Sequence, residues 1–310
     1  MSEFSVKILG SSSALPTSTR SLSAHVLQAR ERFFLIDCGE ATQLQLRKYR
    51  VPMTRIDHVF ITHLHGDHIY GLFGLISTLN LMGKKGQLHI YAHVDLEKLM
   101  KPHIDYFEKG LSFEVIFQYI RPNHHTVIFE DKSITVETIP LKHRIPTCGF
   151  LFREKELPRN IKKDKIDFYK IPIKDIPGIK AGNDFITDEG KLIPNKSLTI
   201  DPPKPRSYAY CSDTRYYERI IDIIKGVDLL YHEATFEDKD EHLAKKTYHS
   251  TARHAALIAK KAEVGKLIIG HFSTRYKKID KLIAQSKDEF PNTIAVNDGD
   301  YFKVDNDHSC

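Results

Sequence analysis

Apolar positions recur along this chain with two different periods. Phe4, Val6 and Ile8 alternate with polar residues and predict a first strand. Residues 25–29 and 32–36, on either side of Arg30-Glu31, predict a hairpin that ends in Asp37-Cys38-Gly39-Glu40. Val59, Phe60 and Ile61 form a continuous β-branched and aromatic run, as a buried strand does. Residues 71–82 have the apolar density of a buried helix, 88–91 read as another strand, and 96–107 as an amphipathic helix. Strands are predicted at 127–129 and 134–139, joined by the Glu130-Asp131-Lys132-Ser133 turn. More follow at 208–211, 227–231, 266–269 and 293–296, with helices between them at 217–225 and 251–262. Hairpins fill the first half and strand–helix alternation the second. Two mixed sheets with helices on their outer faces account for that order, an α/β (α+β) arrangement.

Residues 153–206 break the pattern. Hydrophobic periodicity is poor there, and seven prolines (Pro158, Pro172, Pro177, Pro194, Pro202, Pro203 and Pro205) are expected outside helices. Residues 153–180 carry nine basic against five acidic side chains. A linker has this composition too. The sharper reading is a protruding, partly ordered basic arm inserted into a single domain spanning residues 1–310.

Composition narrows the class. Apolar content of 41% and charged content of 28% are ordinary for a globular protein. No apolar run approaches the ~18 residues that span a bilayer, so no membrane partner is expected. The N-terminus lacks a basic start followed by an apolar stretch, and no secretory signal is expected. Cys38, Cys148, Cys211 and Cys310 are dispersed, which fits a reducing, cytoplasmic setting. A net charge of +6 favours an anionic partner.

The chemistry concentrates in Val-Phe-Ile-Thr-His-Leu-His-Gly-Asp-His, residues 59–68. His63 and His65, two apart on an extended segment, point the same way. Gly66 lets the backbone turn so that Asp67 and His68 face a neighbouring point. Three imidazoles and a carboxylate exceed what one open catalytic zinc takes, and suit two adjacent ions. The bland alternative is a chance cluster of surface histidines. Two ions need further ligands, and His143, Asp213 and His271 each fall just past a predicted strand. A carboxylate such as Asp213 can bridge two cations ~3.5–4 Å apart. His25, His58, His89, His93, His103, His124 and His125 read as structural or solvated. Asp37 reads as a buried support for the metal loop.

His63-x-His65-x-Asp67-His68 with the later His143, Asp213 and His271 resembles the metallo-β-lactamase superfamily. Finer motifs resemble the ribonuclease Z family of tRNA 3′-processing endonucleases. They are Asp37-Cys38-Gly39-Glu40-Ala41-Thr42-Gln43, Tyr210-Cys211-Ser212-Asp213-Thr214, His232-Glu233-Ala234-Thr235, His249-Ser250-Thr251 and His271-Phe272-Ser273-x-Arg275-Tyr276. The resemblance implies a four-layer αββα sandwich with the inserted arm binding tRNA. It implies two Zn2+ ions, one held by His63, His65 and His143, the other by Asp67, His68 and His271, with Asp213 bridging. Asp67 would be the base and His249 the general acid, with Glu233 beside it. The planar fork of Arg275 suits a substrate phosphate; a surface salt bridge is its plain alternative.

The implied reaction is cleavage of the 3′ trailer from precursor tRNA after the discriminator base, leaving a 3′-hydroxyl, by a homodimer whose partner subunit presents its arm. Two motifs depart from the family. Pro16-Thr17-Ser18-Thr19-Arg20 has serine where the family's loop has lysine, and the arm lacks the usual Gly-Pro pair, Ile176-Pro177-Gly178 being the nearest approach. The alternatives are a hydrolase of the same fold acting on a small phosphodiester or ester, and a metal-free RNA-binding relative. The basic arm argues against the first and the full ligand set against the second.

Overall fold

The computed structural model describes residues 3–107 and 110–305. Asp131–Ile134 with Glu154–Pro205 forms one compact unit, and the rest of the described chain forms a larger one.

The larger unit is built on two seven-stranded sheets. The first runs in the order Tyr301–Lys303, Phe4–Gly10, Ala24–Ala29, Arg32–Ile36, Ile56–Phe60, Gln87–Ala92, Glu114–Tyr119. Its first half pairs antiparallel; from Arg32–Ile36 onward it pairs parallel. The second sheet runs Thr293–Ala295, Lys266–Gly270, Leu229–Glu233, Ser207–Cys211, Cys148–Glu154, Ile134–Pro140, Val127–Glu130. Its first four strands are parallel to one another.

Both sheets are covered on both faces, and their strands sort side chains by size with period two. Between the sheets lie aromatic rings. Phe34 meets Phe152 at 5.9 Å between centroids, Phe60 meets Phe150 at 5.4 Å, and His25 meets Tyr210 at 4.9 Å. Burying each phenylalanine ring stabilises the fold by roughly 2–3 kcal/mol. On the outer faces the residues are aliphatic and small. Leu35, Val59, Ile61 and Ile90 pack with Leu72, Leu75, Ile76 and Leu79 of helix Gly71–Leu81. Leu151, Ala209, Leu230 and Ile269 pack with Ala255, Ala256 and Ala259 of helix Ala252–Lys261. The layers are helix, sheet, sheet, helix, as expected.

One expectation for these elements needs correction. Residues 217–225 hold only the short 3₁₀ turn Glu218–Ile220 rather than a helix. Ile220, Ile221, Ile223 and Ile224 crowd four β-branched side chains into five positions, which disfavours helix, and Ile220 and Ile224 reach the core without one. The backbone does turn at Gly66, which opens the helical turn Gly66–Ile69 carrying Asp67 and His68. A Cβ there would lie 2.3 Å from the ring of Tyr70, an exposed side chain with room to swing aside.

The smaller unit has its own core rather than the character of a linker. Ile171, Ile179, Phe185, Ile193 and Leu198 are buried together, with Ile161, Ile166, Tyr169 and Ile176 packed around them. Strands Asn160–Ile161 and Thr199–Ile200 pair, as do Phe185–Ile186 and Leu192–Ile193. Asn195 Nδ2 donates to the carbonyls of Ile179 and Asn183, tying three segments together. Pro177, expected outside any helix, stands in the first turn of helix Ile176–Lys180, where a missing N–H costs nothing.

Among the described residues no helix is long and apolar enough to cross a membrane. Cys38, Cys148 and Cys211 are free and buried, and Cys310 lies outside the described residues.

Candidate metal centre

Parallel strands bring their C-terminal ends to one rim of the larger unit. Arg32–Ile36 and Ile56–Phe60 are followed by Asp37 and the His63–His68 segment; Ser207–Cys211, Leu229–Glu233 and Lys266–Gly270 are followed by Asp213, Thr235 and His271. Close backbone approach holds the rim together. A Cβ on Gly39 would lie 2.6 Å from the Asp67 carbonyl oxygen, and one on Gly71 would lie 2.0 Å from that of Gly39. Asp37, Tyr248 and His271 all take left-handed backbone, at φ 55°, 61° and 61°. Such conformations in non-glycine residues concentrate where a site over-determines them.

The seven residues singled out as ligands all converge. His63, His65, His143 and Asp213 offer donor atoms within 4.8 Å of one another, and so do Asp67, His68 and His271. His63 Nε2 lies 3.0 Å and His143 Nε2 3.3 Å from His65 Nδ1. Donors ~2.0–2.1 Å from a tetrahedral zinc are themselves about 3.3 Å apart. Asp213 turns one oxygen to each set: Oδ2 is 3.5 Å from His63 Nε2, and Oδ1 is 3.2 Å from His271 Nε2 and 3.5 Å from His68 Nε2.

Hydrogen bonds at the far nitrogens fix which nitrogen each ring presents. His143 Nδ1 donates to the Tyr248 carbonyl at 2.9 Å, and His68 Nδ1 to Asp37 Oδ2 at 2.8 Å. Each therefore aims a lone pair on Nε2 at the centre. The Nε2 atoms of His68 and His271 are buried without a hydrogen-bond partner, which is costly unless a cation takes the lone pair. The residues present thus fit a pair of divalent ions.

Asp37, fully buried, is the support behind this set. It accepts hydrogen bonds from the Thr62 amide and hydroxyl, from His68 and from the Tyr210 hydroxyl. Thr62, Tyr210, Tyr248 and Thr235 were not foreseen as part of the site. Thr62, Tyr210 and Thr235 stand inside the motifs named above without a role of their own, and nothing in the sequence marks Tyr248.

Electrostatics agree with a cation-binding centre. Burial pushes His63 down to about 4 and also lowers His65 and His143, leaving neutral rings. Burial works against charge on Asp67 and Asp213, but the facing histidines outweigh it and hold both below the usual carboxylate range. His68 is the exception: burial opposes its charge, yet Asp67, Asp37 and Asp213 raise its pKa well above normal. That surplus of negative charge is what a divalent cation would neutralise.

His249 and Glu233 stand beside the centre. His249 Nδ1 donates to Glu233 Oε1 at 2.8 Å, and its Nε2 is 3.9 Å from Asp213. Burial opposes its charge, but Glu233 and Asp213 prevail and push it up to about 9. Asp213, His249 and His271 also meet ligand spacing, so His249 is near enough to bind an ion as well as to donate a proton. Arg275 lies apart, its guanidinium 5.4 Å over the Phe236 ring and 4.0 Å from Asp240. In the loop before strand Ala24–Ala29, Ser18 is exposed, the Ala14 amide donates to Asp67 Oδ2 at 2.9 Å, and Arg20 is held by Ser11, Asn297 and the Val296 carbonyl.

Known proteins resemble this chain in sequence and in fold. Residues 4–162 match a family profile described as Anti-Pycsar protein Apyc1. Over 298 residues, 96% of each chain, the sequence is 50% identical to ribonuclease Z of Phocaeicola vulgatus. Among solved structures, the short form of human tRNase Z superposes with a TM-score of 0.70 at 25% identity, covering 97% of this chain and 99% of that one. The metallo-β-lactamase fold protein YhfI from Bacillus subtilis gives 0.67 at 20% identity, over 97% and 99%, a likeness of fold. The chain belongs to the family of the Apyc1 profile over residues 4–162 and, over nearly its whole length, to the ribonuclease Z family, on a metallo-β-lactamase fold.

Proposed function

We propose that this chain is a zinc-dependent endoribonuclease that cuts precursor tRNA after the discriminator base, releasing the 3′ trailer and leaving a 3′-hydroxyl on the tRNA. The observation that carries this reading is two ligand sets sharing Asp213, with the His249–Glu233 pair alongside, in a chain half identical to a ribonuclease Z. In this reading His63, His65 and His143 hold one ion, Asp67, His68 and His271 the other, and Asp213 bridges. Their nitrogen and oxygen donors suit zinc.

Divalent cations there would supply Lewis acidity toward the scissile phosphate and acidify the attacking water. The protein's own groups do the rest. Asp67, held ionised and largely buried beside His68 and His271, takes the proton of the water as it attacks phosphorus. The P–O3′ bond breaks, and the protonated His249 gives its proton to the departing O3′ of the discriminator nucleotide. Glu233 keeps that imidazolium charged and oriented. Arg275, half-exposed and only loosely paired with Asp240, turns to a phosphate oxygen.

The basic segment 153–206 is the inserted arm, gripping the tRNA body through phosphate contacts remote from the cut. The working form is a homodimer in the cytoplasm, each subunit offering its arm to tRNA on the other. Incubating zinc-loaded protein with precursor tRNAs, with and without CCA, and with a small chromogenic phosphodiester tests the reading. Cleavage of the CCA-less precursors, lost on chelation, is expected. Turnover of the small diester alone would contradict it. Ser18, replacing lysine, makes the CCA-bearing precursors the informative comparison.

A further inference from the structure

Glu233 is fully buried, and its two oxygens serve two different histidines. Oε1 accepts from the Thr214 amide at 3.0 Å and from His249 Nδ1 at 2.8 Å. Oε2 accepts from the Thr235 amide at 3.1 Å and from the Thr235 hydroxyl at 2.7 Å. A hydroxyl has one proton. Once Thr235 has given it to Glu233, Oγ1 faces His271 Nδ1, 3.0 Å away, with lone pairs only. His271 must then carry its hydrogen on Nδ1, and its lone pair stands on Nε2, the buried atom without a hydrogen-bond partner that faces Asp213 and Asp67.

The other sheet repeats the device. The Thr62 hydroxyl donates to Asp37 at 3.0 Å and so accepts from His63 Nδ1 at 2.9 Å, while Asp37 also accepts from His68 directly. In each case one buried carboxylate holds one histidine itself and a second through a threonine.

We propose that Thr235 is a positioning residue that fixes the tautomer and orientation of His271 and ties it to the carboxylate that holds His249, so that the proton donor and one metal site are assembled as a unit. This rests on reading the cluster as a two-metal site. Removing the hydroxyl leaves a buried Nδ1–H unpaired and frees the ring to turn or to move its proton to Nε2, where it blocks the ligand lone pair.

The test compares Thr235→Val, nearly isosteric, with Thr235→Ser, which restores the hydroxyl. Zinc affinity is read by chelator competition on purified protein. Thr235→Val should bind one of its two ions 10–100-fold more weakly and keep the other, and Thr235→Ser should stay within a few-fold of the parent. In the zinc-loaded parent, nitrogen-15 imidazole spectra, assigned with His271→Asn, should show His271 protonated on Nδ1. This second readout decides the matter even if Thr235→Val does not fold. Parent-like affinity in Thr235→Val, equal weakness in Thr235→Ser, or protonation of His271 on Nε2 would each overturn the proposal. A parent protein that binds no zinc would overturn the two-metal reading along with it, a result distinct from the other three.

Discussion

The Tyr210 hydroxyl donates to Asp37 Oδ2 at 3.0 Å, although 173 positions separate the two residues. Both are buried, and the same oxygen accepts from His68. Strand Ser207–Cys211 therefore reaches across the sandwich to steady a ligand of the opposite sheet. Tyr210→Phe removes one of several donors to Asp37 and should cost about 1–2 kcal/mol of stability. Asp37→Asn, which takes away a charged acceptor, should weaken zinc binding by about 10–100-fold. Denaturant unfolding and chelator competition measure the two. Equal zinc affinity in Asp37→Asn and the parent would refute the supporting role.

His249 decides between proton donor and ligand. His249→Ala should lower the rate of precursor cleavage by roughly 10²–10⁴-fold while retaining both ions. Loss of an ion on metal analysis would make it a ligand instead.

The pH profile tests Glu233. The raised His249 is charged below about 9, and a donor that must be protonated loses activity as pH climbs through its folded pKa. In Glu233→Gln the negative charge is gone, so the imidazolium is less favoured and the falling limb of kcat should move to lower pH. An unmoved limb would separate that limb from the His249–Glu233 pair.

Acid stability should reflect His25. Burial pushes it down to about 3 in the folded protein, and its Nδ1 lies 2.9 Å from the Tyr208 hydroxyl. An unfolded histidine titrates near ~6.5, so the unfolded chain binds the extra proton first and stability falls as pH drops below that value toward 3. The loss by pH 5 is on the order of 2 kcal/mol. His25→Phe should flatten the decline of Tm between pH 7 and pH 5; an equally steep decline would assign it to other groups.

The segment proposed as the arm can be excised. Arg153 and Ser207 are cross-strand partners, so a short glycine turn can join the chain where the segment leaves and returns. The shortened protein should keep hydrolysing a small chromogenic phosphodiester and lose precursor-tRNA cleavage. Intact protein should bind tRNA steeply less well as salt rises from about 50 to 200 mM, and the shortened form should show a much flatter slope. Equal loss on both substrates would make the segment a lid.

Much of this was legible in the sequence because buried strands write themselves as apolar runs, and the ligand-type residues just past them gather in one cluster. His63 to His68, His143, Asp213 and His271 were found that way, and all converge. The polar supports were not legible. Thr62 and Thr235 act through a single hydroxyl whose partner is set by tertiary contact, Tyr210 looks like any core aromatic, and Tyr248 contributes only a carbonyl turned by its left-handed backbone. Residues 217–225 misled because helix-like spacing of isoleucines also serves a chain of turns over a core. In residues 153–206 the core of Ile171, Ile179, Phe185, Ile193 and Leu198 is too small, and spread over segments too short, to show a period.

The most direct measurement is end mapping of the products from a precursor tRNA. Zinc-loaded protein should give one cut, immediately 3′ of the discriminator, with a 3′-hydroxyl on the tRNA and a 5′-phosphate on the trailer, abolished by chelation and restored by zinc. Cuts at scattered positions, a 2′,3′-cyclic phosphate on the tRNA, or an intact precursor under conditions where the protein hydrolyses a small diester would contradict it.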